Sequence, residues 1–198
     1  MKKVLLLIAT VVSIRNPASA TACAPGTLMG FINMGPDGCQ LGTVQVSGFA
    51  YTGTASGGAK EISTDDIAVA PLIAPNGAVG LMFAAPWHIG AGQGIGSQIT
   101  YQLLSPDAQV QVQQVALDGE GFRAGPNSSV TVQEAVADGQ VTSTLEIYLT
   151  CTDSCSSATS ANLPIAPATS LTVEDLVTVQ SNQSGASMSR FADWFVLN

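Results

Sequence analysis

Apolar and polar residues alternate along much of this chain, and this period of two limits the fold more than any other feature of the sequence. The cleanest alternation spans residues 109–117, and residues 44–51 continue it with a glycine where a β-bulge could exchange the two faces. Residues 130–136 and 141–149 flank Asp138-Gly139, a dipeptide typical of a tight hairpin turn. Because such strands recur at short spacing without a sustained helical period, the sequence predicts an all-β fold, a β-sandwich or jelly-roll-like domain.

The remaining segments bring the expected number of strands to about eight to ten. Residues 67–73 contain a proline that cannot donate to a ladder, which indicates an edge strand or a strand end. Residues 170–180 and 187–197 are expected to form the last strands, although residues 171–177 would also suit the start of a short helix. The Ser- and Thr-rich stretch 152–161 is expected to be a surface connection.

Residues 1–20 have the organisation of a secretory signal peptide. Two lysines precede an apolar run, and Ala18-Ser19-Ala20 supplies the small residues that signal peptidase requires. The apolar run is shorter than the about 20 residues that span a bilayer. We therefore expect cleavage before Thr21, a secreted protein located outside the cell or in the cell envelope, and a single β-sandwich domain formed by residues 21–198.

The predicted mature chain is strongly acidic. Outside residues 1–20 it keeps three basic side chains, Lys60, Arg123 and Arg190, against 14 acidic ones, which gives a net charge of −11. Such a surface repels phosphate backbones and anionic lipids, so we expect no nucleic-acid partner and no membrane insertion after cleavage. The whole chain is 46% hydrophobic, which is enough to bury a core and excludes disorder from poor hydrophobicity.

Four cysteines in an exported chain predict two disulfides. The pairing that is local in sequence joins Cys23 to Cys39 and Cys151 to Cys155. The alternative is a zinc site with four thiolates, although only Cys151 and Cys155 have the spacing of a usual zinc-ligand pair. Two local disulfides are therefore the expected arrangement.

The sequence offers little catalytic chemistry. His88 is the only histidine, and nothing near it in the sequence suggests a triad or a histidine metal site. The chain lacks the G-x-S-x-G pattern of a nucleophile elbow, and the alternating glycines of residues 90–96 do not match a dinucleotide-binding loop. We expect a non-enzymatic protein without a cofactor. A hydrolase with a pair of carboxylates that are distant in sequence remains a less favoured alternative.

The sequence contains two kinds of candidate ligand site. Asp65-Asp66 and Asp118-Gly119-Glu120 are weak calcium candidates, because hard cations prefer clustered carboxylate oxygens and both segments are expected in loops. Among the aromatic residues, Trp87 adjoins a flexible turn and is the best candidate for a flat sugar-binding platform. The remaining tryptophan and the tyrosines are expected to pack in the core; they are Trp194, Tyr51, Tyr101 and Tyr148.

Several segments give the chain a family resemblance. They are the N-terminal cysteine pair around a glycine-rich loop, residues 44–51 followed by Thr-Gly-Thr-Ala-Ser-Gly-Gly-Ala, and Leu-Met-Phe-Ala-Ala-Pro-Trp at 81–87. In these segments the chain resembles secreted, β-rich bacterial proteins of the PEP-CTERM group. The resemblance implies an association with extracellular matrix and exopolysaccharide. The C-terminal Pro-Glu-Pro sorting signal of that group does not occur before Asn198, so sorting by that route is not implied.

Together these observations lead to a first hypothesis of a secreted envelope or extracellular-matrix protein that self-associates through edge strands or contacts extracellular polysaccharide. The alternative hypothesis is a carbohydrate-binding module. Platform aromatics would favour the alternative, and a flat, unprotected edge strand would favour the first hypothesis.

Overall fold

Two antiparallel β-sheets make up almost all of the structure, a computed structural model that describes residues 21–198. The predicted signal peptide lies outside these described residues. With strands numbered in chain order, sheet 1 has the spatial order β11 (Cys155–Ala158), β10 (Thr142–Cys151), β9 (Ser128–Ala137), β13 (Ser170–Ser181), β6 (Gly94–Leu104), β3 (Val44–Ser56), β2 (Cys39–Leu41). Sheet 2 has the order β1 (Gly26–Thr27), β4 (Ala68–Ile73), β5 (Val79–Ile89), β14 (Ala186–Leu197), β7 (Val112–Glu120), β12 (Ser160–Ala168), with β8 (Arg123–Ala124) beside β14.

The predicted all-β sandwich is confirmed, and so are its main sequence signals. Gly48 has a φ of 65°, and the register of β3 against β6 shifts between Ser47 and Ala50, which is the expected bulge. Strands β9 and β10 form the predicted hairpin around Gly139, whose φ is 89°. The segment with the helical alternative is strand β13, which pairs with β6 and β9 along its length.

Helical structure is limited to the N-terminal region. A short helix, α1 (Leu28–Asn33), begins after Thr27, whose hydroxyl accepts a hydrogen bond from the Gly30 amide at 3.3 Å. A 3-10 helix at Gly35–Asp37 follows it. Leu28 and Phe31 turn inward and close this end of the core. No helix in the described part of the chain is long and apolar enough to cross a membrane.

Three segments contain more strand than the sequence predicts. Strand β5 has 11 residues, although the alternation marks only its first part. Strand β6 already starts at Gly94, inside the glycine run that is expected to be a turn. The expected connection after residue 152 instead forms edge strands β11 and β12. Pro164 and Pro167 are tolerated there because an edge strand leaves one side without a partner.

The core lies between the two sheets and contains a continuous run of aromatic contacts. In sheet 2, Phe191 stacks on Phe83 with ring centroids 5.1 Å apart and also contacts Trp87 at 5.7 Å. In sheet 1, Tyr101 stacks on Phe49 at 5.3 Å, and it meets Phe83 across the interface at 6.1 Å. Burial of each such ring stabilises the fold by about 1.5–3 kcal/mol. The same contacts fix the two sheets relative to each other.

Both predicted disulfides are present. Cys23 is bonded to Cys39, which ties the start of the described chain to β2, and Cys151 is bonded to Cys155, which closes the turn between β10 and β11. None of the four sulfurs is left as a free thiol. The alternative of a four-thiolate zinc site is therefore wrong.

Candidate functional site

The two faces of strand β14 lead to two features of the molecule that could bind a ligand. Phe191, Asp193 and Phe195 point into the core, whereas Arg190 and Trp194 belong to the outer face of sheet 2. Side chains of a strand alternate between faces, so this division follows directly from the sequence. One feature is therefore an exposed surface and the other is a buried cluster.

The exposed feature is a shallow groove of about 240 Å³ on the outer face of sheet 2, which we call the Trp194 face. Strands β4, β5, β7 and β14 contribute to it. The side chains that define it are Leu72, Met82, Asp118, Glu120, Arg190 and Trp194. It combines an apolar floor with charged groups, as small-molecule and saccharide sites do.

Trp194 occupies this groove because the neighbouring strand has a glycine opposite it. Gly80 is the register partner of Trp194 in β5. A Cβ atom at position 80 would lie 3.1 Å from Cε3 of the indole and 2.3 Å from the backbone oxygen of Asp193. Only glycine gives the indole and the backbone this much room. The ring packs against the bare backbone of β5 and stays partly exposed.

An ion pair lies beside the indole. Arg190 and Glu120 are directly opposite each other in β14 and β7, and Nε of Arg190 donates to Oε2 of Glu120 at 2.9 Å while Nη2 donates to the same oxygen. Both side chains are exposed, at 45% and 64%, so the pair adds little stability. Its effect is to hold the two charged groups in place. Asp118 lies two residues before Glu120 on the same face of β7.

The predicted sugar platform at Trp87 is wrong. The Trp87 side chain is 0% exposed, and its Nε1 donates to Oγ of Ser97 at 3.1 Å inside the core. Trp87 therefore has no ring face available to a ligand. Trp194, which was expected in the core, is the tryptophan at the surface. The alternation along β14 could have indicated that Trp194 faces outward. Phe191 and Phe195 lie an odd number of residues from Trp194, so they point to the opposite face of the sheet.

Of the three tyrosines that were expected to pack in the core, only one is fully buried. Tyr101 is 1% exposed and belongs to the core as expected. Tyr51 is half-buried, and its hydroxyl donates to the Ile62 carbonyl at 2.8 Å. Tyr148 is partly exposed on the outer face of sheet 1, away from the Trp194 face.

The weak calcium candidates do not converge with other ligand groups in the described part of the chain. Asp65 and Asp66 are exposed, and neither they nor Asp118 and Glu120 belong to a group of three or more converging ligands within residues 21–198. The expectation that Asp118 and Glu120 lie in a loop is also wrong, because both are in β7. Glu120 is instead engaged by Arg190. His88 is exposed near the end of β5, with Lys60, Glu61 and Gln93 around a separate groove.

The buried feature is a cluster of three carboxylates, which we call the acidic core. Glu134 in β9 and Asp175 in β13 are register partners on the inner face of sheet 1, and Asp193 approaches from β14 of sheet 2. All three residues are 0% exposed. The Tyr101 hydroxyl donates to Oδ2 of Asp193 at 2.6 Å. The remaining five carboxylate oxygens have no hydrogen-bond partner in the described structure.

Burial dominates the electrostatics of the acidic core. Loss of hydration raises the pKa of Glu134 and of Asp175 well above the usual range, and the charge of Asp193 raises both further. Burial raises the pKa of Asp193 to about 7, although the hydrogen bond from Tyr101 opposes the shift. The pKa of Tyr101 is also raised, first by burial and then by Asp193. The cluster is closed to a saccharide, so it does not supply the carboxylate pair of a hydrolase.

Sequence reasoning missed the acidic core, yet the signal was present. Glu134, Asp175 and Asp193 each stand at the inward parity of their strands, between apolar residues that are fully buried. An acidic side chain at such a position in a single strand is a local irregularity. Three of them in strands that meet in the core indicate a shared site.

Comparisons with known proteins give only distant structural similarities. No protein-family model and no curated protein matches the chain. Among solved structures it is similar to TmCBM61 in complex with beta-1,4-galactotriose, with 12% identity, a TM-score of 0.32, and coverage of 74% of this chain and 88% of that one. It is also similar to the enzymatically active domain of Bacteriophage CBA120 tailspike protein 4, with 9% identity and a TM-score of 0.31. That match covers 91% of this chain and spans 22% of the tailspike chain.

The fold and the two features define a class of protein. It is a disulfide-bonded β-sandwich with a tryptophan-containing groove on one outer face and a closed acidic core between its sheets.

Proposed function

We propose that this protein is a secreted, non-catalytic module that binds a neutral saccharide chain on the Trp194 face. The observation that supports the proposal most is the partly exposed indole of Trp194, fixed over Gly80 beside ionised side chains. A pyranose ring has an apolar C–H face and a rim of hydroxyl groups. The indole of Trp194 can stack on the apolar C–H face, and the carboxylates of Asp118 and Glu120 can accept hydrogen bonds from the hydroxyl groups.

Charge decides which kind of saccharide fits. The predicted mature chain has a net charge of −11, and Arg190 on the Trp194 face is already paired with Glu120. A polymer of uronic acids or a sulfated chain would be repelled by this surface. A neutral hexose polymer meets no such penalty. An association with exopolysaccharide is also what the resemblance to the PEP-CTERM group implies.

The extracellular setting of the proposal is supported by the disulfides. Both pairs close short loops in a chain of modest size, as is common in proteins that fold in an oxidising compartment. The predicted signal peptide at residues 1–20 agrees with this setting. Release into the medium and retention in a polysaccharide matrix are both consistent with binding through one sheet face.

The test compares binding to a panel of immobilised neutral and acidic polysaccharides. Trp194→Ala removes the stacking surface, so we expect it to weaken retention on the best neutral polysaccharide by about tenfold or more, equivalent to about 1.4 kcal/mol. Tyr148→Ala is the matched control, because it removes a partly exposed aromatic ring from the other sheet. It should change retention less than twofold.

Two results would count against saccharide binding. Either no polysaccharide of the panel is retained by the wild-type protein, or Trp194→Ala binds as the wild type does while its circular dichroism stays unchanged. Shortening of the polysaccharide during the experiment would contradict the non-catalytic part of the proposal.

A specific observation favours a second function, assembly through an open strand edge. Strand β2 covers only residues 44–46 of β3, so Ser47–Ser56 has no strand partner on that side within the described chain. This stretch has no charge and no proline, which are the usual protections of an edge. The other edge strands, β1, β2, β11 and β12, are short or contain proline, and the part of β10 that β11 leaves uncovered, residues 142–147, carries the charge of Glu146. We propose that copies of the protein pair through the open edge of β3.

This second proposal is tested by light scattering over a range of concentrations. Thr54→Lys adds a charge to the open edge, where two copies would bring like charges together, so it should shift an oligomer toward the monomer. Thr172→Lys is the control, because Thr172 is exposed in the central strand β13. A wild-type protein that stays monomeric at high concentration would contradict assembly and leave saccharide binding unaffected.

A further inference from the structure

The acidic core holds more unpaired oxygen atoms than a protein interior normally contains. Glu134, Asp175 and Asp193 each offer one oxygen, and these three atoms lie within 4.8 Å of one another. We propose that the acidic core binds one divalent cation of the hard, oxygen-preferring class, Ca²⁺ in an extracellular setting, and that this ion connects the two sheets. The inference is independent of saccharide binding.

The unpaired oxygens are the first reason. Oε1 and Oε2 of Glu134, Oδ1 and Oδ2 of Asp175, and Oδ1 of Asp193 are buried without a donor. A buried carboxylate that lacks a partner costs several kcal/mol in lost hydration. In the described structure only the Tyr101 hydroxyl donates to the cluster. An ion supplies the missing partner to several oxygens at once.

The second reason is that no side chain of residues 21–198 can neutralise the cluster. The basic side chains in this range are Lys60, Arg123 and Arg190, and all three are exposed. Arg190 forms an ion pair with Glu120 on the opposite face of β14. His88 is exposed as well. A cation other than a proton must therefore come to this core from outside the described chain.

The ligand set suits calcium better than the other common ions. Oxygens that share one Ca²⁺ at about 2.3–2.6 Å can be at most about 4.6–5.2 Å apart, and the three oxygens of the cluster lie within 4.8 Å of one another. Calcium takes about six to eight oxygens, and five unpaired ones are present. Magnesium usually retains several waters, whereas the three carboxylates of this cluster are fully buried. Zinc favours nitrogen and sulfur ligands, and the cluster has none.

Tyr101 has a defined role beside the ion. Its hydroxyl donates to Oδ2 of Asp193, which restrains this carboxylate and leaves Oδ1 without a partner. Hydrogen bonds of this kind orient the ligands of many metal sites. Asp175 and Glu134 are held by the pairing of β13 with β9. The site is thus complete only when both sheets are in place.

Because the site is closed, the ion must enter as the protein folds. The experiment therefore starts from the oxidised mature chain unfolded in guanidinium chloride with EDTA. The chain is then refolded by dilution into buffer with EDTA, with CaCl₂ or with MgCl₂. Native mass spectrometry counts bound ions, and thermal unfolding followed by circular dichroism gives the Tm.

We expect one calcium per chain after refolding with CaCl₂, and a Tm about 10 °C above that of the EDTA sample. The Asp175→Asn variant should bind no calcium and should have the same Tm in both buffers. In EDTA it should be at least as stable as the wild type, because it removes a buried carboxyl group whose two oxygens lack a hydrogen-bond partner. Asp65→Asn, which changes an exposed carboxylate, should behave like the wild type.

The proposal is overturned if the wild type refolds to the same Tm with and without calcium and contains no ion by mass. The proposal is also overturned if mild acid, rather than calcium, stabilises the protein. That result would mean that shared protons hold the three carboxyl groups together. Glu134→Gln is the second variant, and retained calcium in a folded Glu134→Gln protein would also contradict the site. If neither variant folds, the comparison of wild-type samples still decides the question.

Discussion

Single residues at strand positions of the wrong polarity define both features of this molecule. Trp194 is a large apolar side chain at an outward position, and Glu134, Asp175 and Asp193 are charged side chains at inward positions. Each departs from the alternation that predicts the rest of the fold. Residues of this kind lower the stability of the fold. They therefore tend to be retained where a functional site requires them.

Gly80 is the residue whose change tests the support of the indole. A Cβ at this position would lie 2.3 Å from the Asp193 carbonyl oxygen, so Gly80→Ala must shift the backbone of β5 or β14. We expect a loss of about 1–3 kcal/mol in the free energy of unfolding, measured with urea, and weaker saccharide retention because the indole is displaced.

Gly30→Ala is the matched control for this change. Its Cβ would meet nothing closer than Oγ1 of Thr27 at 3.7 Å, and the residue lies in α1, where alanine is preferred by up to about 1 kcal/mol. A Gly80→Ala protein as stable as the wild type would mean that the close packing over Gly80 is not required.

At the scale of elements, the alternation predicts the strands whose two sides differ. Strands β3, β9, β10 and β13 have one buried and one exposed face, and their sequence positions were anticipated. Strands β11 and β12 were not, because their serines and prolines resemble a loop and their strand conformation depends on pairing with β10 and β7. Tertiary pairing decides such segments, and a single sequence does not contain it.

The β9–β10 hairpin gives a prediction at this scale. Oδ1 of Asp138 accepts hydrogen bonds from the amides of Gln140 and Val141 at 2.8 and 2.9 Å, and these bonds lower the pKa of Asp138. The ionised form is the one that stabilises the turn. Its contribution is therefore present above the ordinary pKa of aspartate and is lost as the pH falls through the lowered value.

The variant Asp138→Ala should accordingly have a lower Tm than the wild type at neutral pH. The difference should shrink as the solution is made more acidic than the lowered pKa, because the wild type then loses the same hydrogen bonds. Thermal unfolding of the two proteins over a series of pH values checks this. A difference in Tm that persists unchanged into strong acid would contradict the role of the ionised side chain.

At the scale of the whole molecule, the sequence indicated the sandwich, its disulfides and its acidity, but misplaced the exposed tryptophan. The sandwich follows from the period of two, and the disulfides from spacing. The choice between Trp87 and Trp194 depended on which face of sheet 2 is covered by sheet 1. The acidic core likewise arises only when β14 crosses over β9 and β13. Both sites belong to the packing of two sheets rather than to any one segment.

The two tryptophans allow a direct measurement of the central claim, which is that a saccharide covers Trp194. Trp87 is buried and should be protected from acrylamide at all times, whereas Trp194 is partly exposed and should be quenched. Quenching of the wild type and of Trp194→Phe is recorded with and without the best neutral polysaccharide of the panel. The account predicts that the polysaccharide protects the wild type and leaves the emission of Trp194→Phe unchanged. Equal quenching of the wild type with and without a polysaccharide that it demonstrably binds would show that the binding face is elsewhere.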